Sequence, residues 1–61
     1  MERNLRGIFA IGRAFVINKQ ARTFDQQQEC LFLAARRFTY SEQEAVRFAD
    51  VHFSDFLDSL D

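Results

Sequence analysis

The chain has 61 residues, of which 48% are apolar, and eight of these are Phe. This length allows one domain, residues 1–61, and so many aromatic side chains exclude a disordered chain. The formal net charge of −1 is the sum of a basic N-terminal part and an acidic C-terminal part. Residues 1–24 carry five cations against one carboxylate, a charge of +4, and residues 25–61 carry three against eight, a charge of −5.

Two features bear on the compartment. The longest nearly apolar stretch, residues 7–17, contains Arg13 and is too short to cross a bilayer, so we expect no transmembrane segment. Cys30 is the single cysteine and cannot form an internal disulfide. The sequence therefore predicts a protein of a reducing compartment, most simply the cytoplasm, with Cys30 as a small buried apolar residue.

The first segment, residues 3–18, has two interpretations. As a helix, it carries one apolar stripe at helical spacing, formed by Leu5, Ile8, Phe9, Gly12, Phe15 and Val16. As a β-hairpin over residues 8–17, it would turn at Gly12-Arg13, and its Ile, Val and Phe favour strands. A lone two-stranded ribbon is only marginally stable. This marginal stability and the helical periodicity of the apolar residues both favour the helix.

The second segment predicts a helix from about 25 to 38. Thr23 or Asp25 caps its start, and Thr23 and Gln26 also have the spacing of a capping box. Apolar residues then cover more than one side of the segment, which is typical of a central, buried helix.

The third segment predicts a helix from about 42 to 60. Ser41 and Glu44 form a second capping-box pattern, followed by an apolar stripe over about five turns. The link to the preceding helix is so short that the two must form a helical hairpin or cross at a sharp angle. The predicted fold is thus an all-α domain of three helices.

The residue types needed for catalysis are sparse. Cys30 and His52 are the only cysteine and histidine, and the prediction places them on different helices. A histidine on an apolar stripe is usually a packed core residue. The two side chains cannot complete a four-ligand zinc site, and no glycine-rich phosphate loop exists. We therefore expect a protein that is not an enzyme and that has no cofactor and no metal site.

The apolar content exceeds what one small core should bury, which indicates a surface that contacts another macromolecule. The favoured interpretation is a small regulator, inhibitor or adaptor that binds a protein partner and self-associates as a homodimer. Phe and Arg are common interface anchors. The candidate partner-binding residues are Phe9, Phe32, Arg36, Arg37, Arg3, Arg6 and Arg13, of which the two Phe are the hardest to place in one core.

The alternative function is a nucleic-acid-binding regulator. Ala35 is small, Tyr40 and Ser41 fall at a turn, and Ala45 and Phe48 take core positions of a following helix. Residues 35–48 therefore resemble a repressor-type helix-turn-helix. The resemblance implies that the helix after the turn enters the DNA major groove.

The same stretch departs from that family in two respects. Thr39 stands where the family usually has Gly, and the presumed recognition helix opens with Glu42 and Glu44. Those carboxylates would face phosphates, the reverse of the usual charge pattern.

A second route to nucleic acid is the basic front half. As a helix, the first segment aligns Arg3, Arg6 and Arg13 on one face, which could contact a phosphate backbone, as could Arg36-Arg37. Ala10 and Ile17 interleave with the row of three Arg. This interleaving favours burial of the face over binding to an anionic membrane surface.

Overall fold

The computed structural model describes residues 3–38 and 40–61, which form three helices: α1 (Arg3–Lys19), α2 (Phe24–Arg36) and α3 (Glu42–Ser59). The predicted all-α class is confirmed, and each helix boundary lies within two residues of its prediction. The described residues contain no strand. The β-hairpin alternative for residues 8–17 is therefore not supported, because this segment is helical throughout.

The central helix is α2, which packs against both α1 and α3. It buries Cys30, Leu31, Ala34 and Ala35, as its wide apolar surface predicts. The helices α1 and α3 meet chiefly through the ring of Phe56, which is fully buried.

The end of α1 is closed by a Schellman motif. The N–H of Ala21 donates to the carbonyl of Val16 at 3.0 Å, and the N–H of Gln20 donates to that of Ile17 at 3.3 Å. Gln20 takes the left-handed conformation that this motif requires, with φ of 53°. Glycine usually occupies that position, so Gln20 carries a small backbone strain.

Both predicted capping boxes are formed. Thr23 Oγ1 accepts from the N–H of Gln26 at 3.1 Å, while Gln26 Oε1 accepts from the N–H of Thr23 at 3.2 Å. Ser41 and Glu44 make the same reciprocal pair at 3.2 Å each. Hydrogen bonding to the Ser41 side chain and backbone lowers the pKa of the Glu44 carboxyl.

The core lies where the three helices meet. Phe9 and Phe56 pack edge to face with ring centroids 5.4 Å apart. A Cβ atom on Gly12 would lie 2.8 Å from Cε1 of Phe56, and one on Gly7 would lie 2.7 Å from Cζ of Phe38. These two glycines disfavour a helix locally, yet they allow the aromatic rings to approach its backbone. The fully buried cluster consists of Ile8, Phe9, Leu31, Ala34, Ala35, Ala45, Ala49 and Phe56.

Candidate protein-binding surface

An open groove of about 310 Å³ runs between α2 and α3. We call it the α2–α3 groove; its lining residues are Asp25, Gln28, Glu29, Phe32, Val46, Ala49 and Asp50. None of these residues belongs to α1. The groove is thus a property of the helical hairpin alone.

Carboxylates surround this groove. Asp25 and Glu29 stand one helical turn apart on α2, and Asp50 stands on α3. The side-chain N–H of Gln28 donates to Oδ1 of Asp50 at 2.7 Å, which links the two helices across the groove. Within the described residues, none of the three carboxylates forms an ion pair. The rim therefore presents uncompensated negative charge.

The floor of the groove is apolar. Ala49 is buried, Phe32 is half-buried against the core, and Val46 keeps 48% of its surface exposed. An apolar floor with a charged rim is the usual composition of a protein-binding patch, in which apolar contact gives affinity and rim charge gives specificity.

The outer face of α1 carries the opposite charge. Arg3 and Arg6 are exposed and Arg13 is half-buried, as expected for a row on one helical face. Ile17 is 75% exposed. We call this surface the α1 basic face; it consists of Arg3, Arg6, Ala10, Arg13, Ala14 and Ile17. The expected burial of this face is wrong, because α1 turns its other side, with Ile8, Phe9 and Gly12, into the core.

The candidate residues Arg36 and Arg37 lie at the end of α2 and are partly engaged within the protein. Nη1 of Arg36 donates to the carbonyl of Tyr40 at 3.3 Å, and the guanidinium of Arg37 stands 5.9 Å from the ring centre of Phe15. Both side chains remain exposed. Their contacts stabilise the connection between helices, although they leave donors free.

The two candidate Phe residues separate clearly. Phe32 lines the α2–α3 groove, whereas Phe9 is only 1% exposed and belongs to the core. The expectation that Phe9 is surplus to the core is corrected here. Its ring packs edge to face on Phe56, whose own ring lies against Gly12, so Phe9 is not available to a partner.

A second aromatic patch lies on the other side of α3. The ring centroid of Phe48 is 5.7 Å from that of Tyr40 and 4.5 Å from that of His52. Val51 beside them is 66% exposed. His52 therefore packs on an aromatic ring near the surface, at the edge of the core and not within it.

Cys30 is buried at the contact between α1 and α2. Burial raises the pKa of its thiol, and Lys19 nearby only partly offsets this effect. A raised pKa keeps the thiol protonated and unreactive at neutral pH. In the part of the chain that the structure describes, no three His, Cys, Asp or Glu side chains are grouped so as to hold a metal ion.

The exposure of several apolar residues was not predicted from the sequence. Val46 and Val51 lie outside the main apolar stripe of α3, and Phe24 is 69% exposed although its spacing places it with the core residues of α2. Its ring instead packs edge to face on Phe53 with a centroid distance of 6.2 Å. The sequence offered one signal of this exposure: the two valines of α3 stand among polar residues.

The structure agrees with the helix-turn-helix pattern in the burial of two alanines but not in the charge of α3. Ala35 and Ala45 are fully buried, as that pattern requires, while Thr39 lies outside the described residues. The exposed side of α3 carries Glu44, Asp55 and other carboxylates, and only one Arg. Such a surface repels a phosphate backbone.

These features define a small three-helix domain with one acidic groove and one basic helix face. No protein family, curated protein or solved structure shows a significant match to the chain. Among the described helices, none has both the length and the apolar character needed to cross a membrane.

Proposed function

We propose that this protein is a small non-enzymatic regulator or adaptor that binds a protein partner through the α2–α3 groove. The single observation that carries the proposal is the groove itself: three carboxylates, none of which forms an ion pair within the described residues, line it together with Phe32, Val46 and Ala49. A partner segment with apolar side chains flanked by Lys or Arg has the complementary chemistry. The lone buried Cys30 fits action in the cytoplasm.

Self-association as a homodimer belongs to the same proposal. Among the described residues, four large apolar side chains are exposed: Ile17, Phe24, Val46 and Val51. Ile17 lies on the α1 basic face, and Val46 lines the acidic α2–α3 groove. A contact that covered both would remove apolar area from water and pair the charges at once.

The test compares two exposed valines of α3. Val46→Asp places a charge in the groove, while Val51→Asp places the same charge on the same helix outside it. Wild type and both variants are used for affinity capture from source cells, followed by quantitative mass spectrometry. We expect a protein that wild type and Val51→Asp retain and that Val46→Asp loses. Equal capture by all three proteins would contradict the proposal.

A second candidate function is binding of a nucleic-acid backbone, and the α1 basic face is the observation that favours it. The helix α1 contains four cations and no carboxylate. We rank this function lower because the acidic second half would repel a polyanion over most of the surface.

A low-salt gel shift tests the nucleic-acid candidate with random duplex DNA and single-stranded RNA. The comparison is wild type against the variant Arg3→Ala, Arg6→Ala, Arg13→Ala. Micromolar binding by wild type that disappears in the triple variant would establish this candidate. Each lost phosphate contact should lower the salt slope of binding by about 0.7–0.9.

A further inference from the structure

We propose that the α2–α3 groove of one copy binds the α1 basic face of a second copy. This inference rests on the protein-binding function proposed above and names the partner of the same groove. It commits to a second copy because the chain itself carries a surface of opposite charge and similar length.

The first observation is charge complementarity. The α1 basic face carries three Arg, and the groove carries Asp25, Glu29 and Asp50. Within the described residues, no Arg of that face and no carboxylate of the groove takes part in an ion pair. The groove is formed by α2 and α3 only, so α1 of the same copy does not occupy it. A second copy can bring the two sets of charges together.

The second observation is the apolar content of both surfaces. Ala10 lies between Arg6 and Arg13, Ala14 and Ile17 follow Arg13, and all three side chains are exposed. The two alanines allow a helix backbone to approach a groove closely, and Ile17 supplies a larger group to cover Phe32 or Val46. The face and the groove therefore both combine apolar side chains with charged ones.

The third observation is the length of the two surfaces along their helices. Arg6 and Arg13 are seven residues apart on α1, a rise of about 10.5 Å. The groove extends along α2 from Asp25 to Phe32, which is the same number of residues and the same rise. An α1 helix laid along the groove can thus cover its length and bring one Arg to the α2 carboxylates Asp25 and Glu29.

The symmetry of the assembly follows from this pairing. A closed dimer with twofold symmetry forms when two copies exchange both contacts reciprocally, whereas a single contact repeated head to tail gives a ring or a filament. Charge at the edges of the contact makes the association weaken as salt is added.

The test is a charge-reversal exchange. The face variant is Arg6→Glu, Arg13→Glu, and the groove variant is Asp25→Arg, Glu29→Arg, which leaves the Gln28–Asp50 hydrogen bond intact. Either variant alone sets like charge against like charge. In a mixture, both contacts between the two variants regain opposite charges. A matched control, Asp55→Arg, Asp58→Arg, alters net charge by the same amount as the groove variant but on a part of α3 outside the groove.

Sedimentation equilibrium at low and high salt measures the result, with circular dichroism confirming that each variant is folded. We expect wild type and the control to self-associate at micromolar concentration, and each reversal variant alone to associate at least about tenfold more weakly. The equimolar mixture should recover association to within about threefold of wild type. Added salt should weaken the association of wild type, of the control and of the mixture, but not that of either reversal variant alone, because salt screens the repulsion between like charges.

Three outcomes would overturn the inference: a wild type that stays monomeric, reversal variants that associate like wild type, or a mixture that does not recover. If wild type is monomeric and Val46→Asp still loses a captured protein, the second copy is wrong and the groove function stands. If wild type is monomeric and Val46→Asp still retains the captured protein, both the second-copy inference and the proposed groove function fail. Loss of RNA binding or of binding to phosphatidylserine vesicles by the face variant of a monomeric wild type would assign the α1 basic face to that ligand instead.

Discussion

The substitution Gly12→Ala tests the packing of α1 against α3. On an exposed helix, replacing Gly by Ala stabilises the protein by about 1 kcal/mol. Here the new Cβ would lie 2.8 Å from Cε1 and 3.0 Å from Cζ of Phe56. Real Cβ contacts are almost never so short, so either the ring or the α1 backbone must move.

The surroundings of the ring set the magnitude. Phe56 has no exposed surface, and its ring is also in edge-to-face contact with Phe9. It cannot turn toward solvent, and overpacking of this kind costs about 1–3 kcal/mol. That cost exceeds the gain in helix propensity. We expect a net loss of about 1 kcal/mol, which lowers Tm by about 4–8 °C in a domain of this size.

Thermal and urea unfolding followed by far-UV circular dichroism measures the change. Ala10→Gly is the control, because Ala10 is exposed on the same helix and should lose about 1 kcal/mol from propensity alone. The double variant Gly12→Ala, Phe56→Leu should lose less stability than the sum of the losses of the two single variants, since a smaller side chain relieves the clash. A Gly12→Ala protein that melts above wild type would refute contact between Phe56 and the α1 backbone.

Three further predictions follow from single residues. Gln20→Gly should raise stability by about 0.5–1 kcal/mol in urea unfolding, since Gly takes the positive φ without strain, and an unchanged midpoint would contradict the Schellman geometry. Phe56→Ala should cost about 3–5 kcal/mol, enough to unfold a chain of this size, while the half-buried Phe53→Ala should cost less; equal losses would contradict the burial difference. Because the pKa of Glu44 is lowered in the folded protein, its stabilisation is present above the ordinary Glu pKa of about 4.3 and is lost as pH falls through the lowered value. Glu44→Gln should remove this part of the acid dependence in pH-titrated unfolding, and an unchanged profile would show that the contact with Ser41 contributes nothing.

The helices were predictable because their signals are local. Thr23 with Gln26 and Ser41 with Glu44 lie three residues apart, so each capping box depends on one turn of chain. The stripe of α1 was harder to interpret, because Ile, Val and Phe favour strands and two Gly disfavour helices. The glycines are explained only by rings from elsewhere in the chain, such as that of Phe56 beside Gly12.

Burial of individual aromatic residues was not predictable to the same degree. Phe9 and Phe24 both sit at helical spacing with apolar neighbours, yet one is fully buried and the other is mostly exposed. Which of them is covered depends on how closely α1 and α3 approach α2, a long-range property. Ile17 shows the same limit, since its place among the Arg residues suggested burial and the helix turns it outward.

The groove combines residues from two helices, and this explains why sequence spacing did not reveal it. Asp25 and Glu29 share a face by local geometry, but Asp50 and Val46 join them only when α3 packs beside α2. Of the predicted site residues, Phe32 alone lies in this groove. The row of Arg on α1 was predictable because it needs only the helical repeat.

The order of the helices determines where the basic and the acidic surfaces of the protein lie. The basic charge is concentrated on α1, and α3 with the last residues is strongly acidic. The helix α2 packs against both of them, α1 and α3 meet at the apolar ring of Phe56, and no ion pair joins α1 to α3 among the described residues. The protein therefore keeps a basic and an acidic surface, and the proposed contact between two copies would bring these surfaces together. Salt should weaken such a contact far more than it weakens the fold, whose core contains no buried charged or polar side chain among the described residues.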